Sequence, residues 1–199
     1  VRNLVGSSPY KEIFPNVELQ ADSKSASRWG TNYNGEYFAI GVGGALAGRG
    51  ADLFIIDDPH SEQDAKQNRS DVFLPAWEWF QSGPIQRLMP GGAIIVVMTR
   101  WSKLDLTGQI MNQMTKNDEA DPWEIVEFPA ILTDNKGIER ALWPEFWELK
   151  ELQQKRSVLD VRYWNAQYLQ NPTSEEGALI KREWWNIWEE EDPPDCEFT

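Results

Sequence analysis

Basic residues, cysteine and histidine are scarce in this chain. Its 19 Lys and Arg stand against 32 Asp and Glu, a formal net charge of -13. This charge argues against a broad, nonspecific nucleic-acid surface, because phosphate binding needs cationic side chains. The single cysteine, Cys196, excludes an internal disulfide and fits a reducing compartment. No apolar run reaches the roughly 18 residues of a membrane-spanning helix, so the sequence predicts no membrane span.

Two short apolar runs dominate the rest, in a chain whose 41% hydrophobic residues suffice for a buried core. LFII (53–56) and AIIVVMT (93–99) show no polar alternation, which is typical of parallel strands buried on both faces. Between them Ser61 is a predicted helix N-cap, and Pro75 and Pro84 divide the connection into helical pieces. The pattern predicts a strand–helix–strand unit in an α/β fold with a mainly parallel central sheet.

Periodicity and turn residues predict the other elements. Strands are expected at 36–44, after a turn at NYNG, and at 123–131, and helices at 105–115, 145–158 and 160–170.

Asp57 and Asp58 end the first apolar strand, where ligands of open α/β sheets bind. A strand ending in carboxylates is the Walker B arrangement, in which the first Asp holds Mg²⁺ and the next acidic residue orients the attacking water. Adjacent side chains on a strand point to opposite faces, so the chain must turn after Asp57 to bring Asp58 to the same place. The alternative is that two aspartates close a strand in solvent, and the residues alone leave both readings open.

Thr99 and Arg49 are the other candidate residues. Thr99 ends the second apolar strand, so its hydroxyl is placed to sense a γ-phosphate through water; the alternative is a Thr that caps the following segment. Arg49 lies between glycines that allow a mobile arginine near a nucleotide, where it would stabilise transition-state charge; the alternative is an ordinary surface arginine. The phosphate cradle G-x-x-x-x-G-K-[ST] does not occur, and Lys24–Ser25 lacks the glycines of one.

The ordered segments GVGGALAGRGADLFIIDDPHS, MPGGAIIVVMTRWSKLDLTGQI, EIVEFPAI, LWPEFW and YWNAQYLQNPTSEEGALIKREWW resemble the large subunit of tailed-bacteriophage terminases, the motors that package viral DNA into procapsids. The resemblance covers nearly the whole chain. It implies a P-loop ATPase domain of the ASCE type followed by an RNase H-like nuclease domain. Asp57 resembles the Mg²⁺-binding Walker B aspartate, and Asp58 the catalytic acidic residue, which is Glu in many relatives. Thr99 resembles the start of the coupling motif, and Arg49 an arginine finger for a neighbouring subunit.

The resemblance also implies cofactors, partners and a location. The cofactors are Mg²⁺ and ATP. The partners are double-stranded DNA, the portal protein, the small terminase subunit and other large-terminase copies. The location is the host cytoplasm, with docking on the procapsid during packaging. Residues 1–135 correspond to a partial ATPase domain, and 136–199 to a helical subdomain and a linker leading towards the nuclease. Since both the P-loop and the nuclease segment are missing, the chain is expected to be an internal fragment that is inactive alone.

Two other classes of function stay open. A metal-dependent nuclease or phosphohydrolase would need further acidic residues at strand ends, for which Asp105 and Glu127 are weak candidates. His60 is also a weak third metal ligand beside Asp57 and Asp58. The non-enzymatic alternative is an interaction module, indicated by an aromatic tail with tryptophans at helical spacing (Trp184, Trp185 and Trp188).

Overall fold

Six short strands and eight short helices surround two separate apolar cores in the part of the chain that the structure describes. The structure is a computed structural model, and it describes residues 1–22, 25–66, 69–117 and 119–173. The helices are α1 (Arg2–Val5), α2 (Ser8–Ile13), α3 (Glu62–Lys66), α4 (Leu74–Ser82), α5 (Pro84–Arg87), α6 (Leu106–Lys116), α7 (Leu149–Val158) and α8 (Val161–Tyr163). The strands are β1 (Arg28–Gly30), β2 (Glu36–Phe38), β3 (Ala51–Asp57), β4 (Leu88–Val97), β5 (Ile131–Thr133) and β6 (Glu139–Ala141).

Strands β3 and β4 form the predicted parallel pair. Their register places Ile55 beside Ile95 and Asp57 beside Val97, so both strands end at the same edge. The connection is helical: Pro75 and Pro84 each lie in the first turn of a helix, α4 and α5, where the missing N–H costs nothing. The predicted strand–helix–strand unit is confirmed, and so is a mixed α/β fold.

Only one face of the β3–β4 pair is covered by the described residues, which corrects the prediction of strands buried on both faces. The covered face carries Phe54, Ile56, Ile94 and Val96, packed with Phe80 of α4 and with Leu106 and Ile110 of α6. On the other face Leu53, Ile55, Ile95 and Val97 are exposed. The prediction was wrong because it took apolar side chains on both faces as a sign of burial. Both faces are apolar, but helices cover only one of them in the described chain.

The sheet is smaller and less parallel than predicted. Each of the three sheets among the described residues has two strands, and the β1–β2 and β5–β6 pairs are antiparallel. The strand predicted at 36–44 ends at Phe38, before the glycine-rich stretch, although its preceding turn at NYNG is present with Asn34 at φ 60°. The strand predicted at 123–131 is also wrong, since regular pairing begins only at Ile131.

A second apolar core lies in the C-terminal half of the described chain. It consists of Ile131, Ala141, Leu152 and Trp164, and it is joined by residues from both sides of position 135. The helix predicted at 145–158 begins at Leu149, after a capping box between Glu148 and Glu151. The helix predicted at 160–170 is the short α8 followed by a π-helical turn at Trp164–Tyr168.

Candidate functional site at the end of the parallel strands

The carboxyl edge of β3 brings the predicted acidic residues to the surface. Asp57 is the last residue of β3, and its side chain is exposed, as are those of Leu53 and Ile55 on alternate positions before it. Asp58 then leaves the strand with φ 43°, a left-handed conformation that Asp tolerates better than most L-residues. Its backbone N–H still donates to Val97 O at 2.9 Å. The turn that the sequence requires after Asp57 is therefore present.

Asp58 and Thr99 meet across this edge. Oδ1 of Asp58 accepts a hydrogen bond from the backbone N–H of Thr99 at 3.3 Å. Because β3 and β4 are neighbours and end together, the pair of carboxylates and Thr99 lie at one corner of the sheet. Exposed carboxylate oxygens suit Mg²⁺, which takes one or two of them and completes its shell with water and phosphate oxygens. The described residues contain no group of three or more potential metal ligands.

His60 is a buried residue of this loop for which the sequence suggested only a weak metal-binding role. It is 6% exposed, its ring packs edge-on against Phe73 at 5.0 Å, and its Nε2 accepts the backbone N–H of Leu106 at 2.9 Å. Burial lowers the pKa of His60, although Asp105 and Asp64 act in the opposite direction. Since Nε2 is used by Leu106, the geometry does not favour a metal ligand at this atom. The loop continues into α3, where Asp64 N–H donates to Ser61 Oγ at 3.2 Å, which confirms Ser61 as the cap.

Asp105 organises the segment that follows Thr99. It is fully buried, accepts from Arg100 Nε at 3.0 Å, and caps α6 by accepting from Gly108 N–H at 2.8 Å. It also accepts the backbone N–H groups of Trp101 and Ser102. A Cβ at Gly108 would overlap the carbonyl oxygen of Lys103, so the turn lies directly against the helix. Asp105 is therefore fully engaged within the protein, which weakens it as a ligand of a second catalytic metal.

Arg100 also connects this edge to the second core. Its backbone N–H donates to Gln170 Oε1 at 3.4 Å, and Gln170 is itself left-handed with φ 55°. Two successive N–H groups, of Thr99 and Arg100, thus each donate to the side chain of a residue with positive φ. Strand direction predicts that Thr99 lies near Asp58, but no sequence pattern signalled the bond from Arg100 to Gln170, which is 70 residues away.

Arg49 lies at the other end of β3 from the two aspartates. Seven extended residues separate these ends by about 20 Å. Arg49 Nη1 contacts Glu36 Oε1 at 2.9 Å, and its guanidinium lies 4.1 Å from the centre of the Phe38 ring. The structure thus does not bring Arg49 together with Asp57 or Asp58 of the same chain. Its role as an arginine finger for another subunit stays a prediction.

Two open grooves lie away from the carboxylate pair. One runs between Trp147, Lys155 and Tyr168, and the other lies beside the β1–β2 hairpin at Trp29. Trp184, Trp185 and Trp188, on which the interaction-module alternative depends, lie outside the described residues.

Comparisons with known proteins add no further identification. No helix among the described residues is long and apolar enough to cross a membrane. A scan against models of known protein families finds no match for the chain, and no curated protein matches its sequence.

Proposed function

We propose that this chain is part of an ATP-driven DNA-packaging motor of the terminase large-subunit type, and that its P-loop-type ATPase site uses Asp57, Asp58 and Thr99. The observation that carries the proposal is the corner formed by the parallel strands. Asp57 and Asp58 follow β3, Thr99 follows β4, and Asp58 Oδ1 lies 3.3 Å from Thr99 N. The order of motifs along the chain supports the same function.

The two carboxylates have different backbone geometries, which suits different roles. Asp57 is at the end of the regular strand and is exposed, so it is placed to hold Mg²⁺ bound to ATP phosphates. When bound, Mg²⁺ neutralises charge that develops on the phosphates. Asp58 turns towards β4 and is anchored through its own N–H and through Oδ1. One of its carboxylate oxygens remains to orient a water molecule and accept its proton.

Thr99 is held by its backbone, which leaves its side chain for substrate. The Thr99 N–H donates to Asp58. Within the described residues, the Thr99 hydroxyl makes no hydrogen bond at this corner. A hydroxyl beside Asp58 is placed to sense a γ-phosphate through water. Arg49 acts on a neighbouring copy in this proposal, because it lies at the opposite end of β3 from the two aspartates.

The alternative functions have less support from the geometry. A nuclease with two metal ions needs clustered carboxylates, and Asp105 is enclosed by Arg100 and backbone N–H groups. Glu127 lies in a segment without regular structure rather than at a strand end. Among the described residues, a binding role finds support in exposed apolar surface, such as the open face of β3–β4.

Paramagnetic Mn²⁺ in place of Mg²⁺ tests the proposed site directly. In NMR spectra of the 199-residue chain, low Mn²⁺ concentrations are expected to broaden the amide signals of Asp57, Asp58 and Thr99 before those of other acidic surfaces. Asp57→Asn should remove this selectivity, and Asp52→Asn, at the amino end of the same strand, should preserve it. Equal broadening at all acidic surfaces would contradict the metal site.

ATP hydrolysis tests the missing phosphate cradle. The chain alone is expected to hydrolyse no ATP, because no G-x-x-x-x-G-K-[ST] loop is present in its sequence. Hydrolysis by the purified chain that Asp58→Ala abolishes would show that the site is complete without that loop. Mixing with a separately expressed chain that carries such a loop is expected to restore Asp58-dependent hydrolysis if the parent site is divided in this way.

A further inference from the structure

We propose that His60 is a positioning residue: by accepting the Leu106 N–H, it holds the loop that carries Asp58 against α6 and thereby keeps Asp58 beside Thr99. The proposal deepens the proposed function only in its last step, the use of Asp58. Its structural part depends on the contacts of His60 alone.

The Leu106 N–H needs an acceptor from outside its own helix. Leu106 is the first residue of α6, so its N–H has no partner within the helix. Asp105, the cap of this helix, accepts from Gly108 and does not take the Leu106 N–H. His60 Nε2 accepts it at 2.9 Å, and Leu106 is fully buried. A residue 46 positions earlier therefore completes the start of α6 and ties two segments of the site together.

His60 lies only two residues after Asp58 in the chain. Only Pro59 separates them, and its ring fixes one backbone dihedral. Asp58 is attached to β4 on one side through its N–H to Val97 O. His60 attaches the other side to α6, and its ring also packs against Phe73. A left-handed Asp persists when its surroundings fix it from both sides. Without the His60 bond, we expect the turn to relax and Asp58 Oδ1 to leave Thr99.

Two substitutions separate the bond from the ring. His60→Gln keeps an acceptor near the position of Nε2, and His60→Phe keeps an aromatic ring against Phe73 but removes the acceptor. In His60→Phe, the Leu106 amide is expected to exchange its hydrogen about tenfold faster, as for loss of one hydrogen bond. The Thr99 amide signal should move to its position in Asp58→Ala. In His60→Gln, both amides should behave as in the unaltered chain.

Controls distinguish positioning from general loss of stability. The Leu152 amide, in the second core, should keep its exchange rate in His60→Phe; a matching acceleration there would mean global destabilisation and would overturn the proposal. If His60→Phe does not fold, ¹⁵N spectra of the unaltered imidazole decide instead. They should show the proton on Nδ1 and a free acceptor at Nε2, and a proton on Nε2 would overturn the proposal.

The Mn²⁺ experiment keeps this inference separate from the proposed function. If Thr99 moves in His60→Phe but Mn²⁺ never broadens the corner selectively, His60 positions Asp58 and the metal site is wrong. If Mn²⁺ binds at the corner and Thr99 does not move in His60→Phe, the metal site stands and the role of His60 is wrong. If both hold, His60→Phe is expected to weaken the Mn²⁺ effect about tenfold relative to His60→Gln, since the loop next to the Asp57 ligand has lost a supporting contact.

Discussion

The two faces of the β3–β4 sheet have nearly the same composition and very different surroundings. Ile56 is 3% exposed and packs with Phe80, while its neighbour Ile55 is 60% exposed. The same alternation continues on β4, where Val96 packs on the core and Val97 is exposed. Packing by α4 and α6, rather than the residues of the strands, makes one face a core within the described chain.

The candidate site involves both faces of the sheet. Asp57 shares the exposed face with Ile55, and the turn at Asp58 leads to His60, which is buried beside α6. The site therefore lies where the open and the packed face meet. The packed face fixes its geometry, and the open face leaves its carboxylates accessible.

Removing Asp105 should have the largest effect, because it releases the cover of the packed face. Asp105→Ala leaves Arg100 without its buried partner and removes the cap of α6. The expected loss in the free energy of unfolding is about 3–5 kcal/mol, measured by urea denaturation. Asp134→Ala, an exposed turn aspartate that caps no helix, is the control and should cost less. A loss below about 1 kcal/mol in Asp105→Ala would mean that α6 covers the sheet without this network.

The neighbouring isoleucines provide a direct test of the comparison. Ile56→Ala creates a cavity on the packed face and should lower the free energy of unfolding by about 2–4 kcal/mol. Ile55→Ala removes the same atoms from the open face and should cost less than about 1 kcal/mol. Equal losses would show that something covers the open face in solution, and analytical ultracentrifugation would then determine whether it is a second copy of the chain.

The smallest effect is expected away from both faces, at Glu36, and it gives the baseline for the comparison. A hydrogen bond from Arg28, with a further contribution from Arg49, lowers the pKa of Glu36. A carboxyl whose pKa is lowered by folding stabilises the fold at pH values above its ordinary, unfolded-state pKa. This contribution is lost as the pH falls through the folded-state pKa. When the pH is lowered from about 6 to below about 4.5, the free energy of unfolding should therefore fall slightly less in Glu36→Gln than in the unaltered chain. Its exposure makes this difference smaller than that of Ile55→Ala, and identical pH profiles would mean that the ion pairs contribute nothing.

Local signals were sufficient for the parallel unit and its connection. Apolar runs, Ser61 and the two prolines fixed β3, the helical crossover and β4, and the sequence required the turn that Asp58 makes. The meeting of Asp58 with Thr99 also followed from strand direction, since parallel neighbours end together. The chemical roles of these residues stay predictions.

Contacts over long sequence distances were not predictable in the same way. The bond from Leu106 to His60 joins a backbone group to a side chain, and no residue pattern marks such a pair. The exposed face was not predicted because a strand of Ile and Val has the same sequence pattern whether or not a helix covers that face. The strand predicted at 36–44 is present but shorter, ending at Phe38, because its apolar residues lead into glycines and its antiparallel partner at Arg28–Gly30 is equally short.

The left-handed conformations of Asp58 and Gln170 have a consequence for protein engineering. Glycine at either position would relieve backbone strain of about 1 kcal/mol or more, while removing a hydrogen bond of similar worth. Thermal-shift screening of a mutant library would then score both glycine variants as neutral and place them among the tolerated positions. Residues that shape the corner would thus escape selection for stability, and only a readout at the Thr99 and Arg100 amides would reveal them.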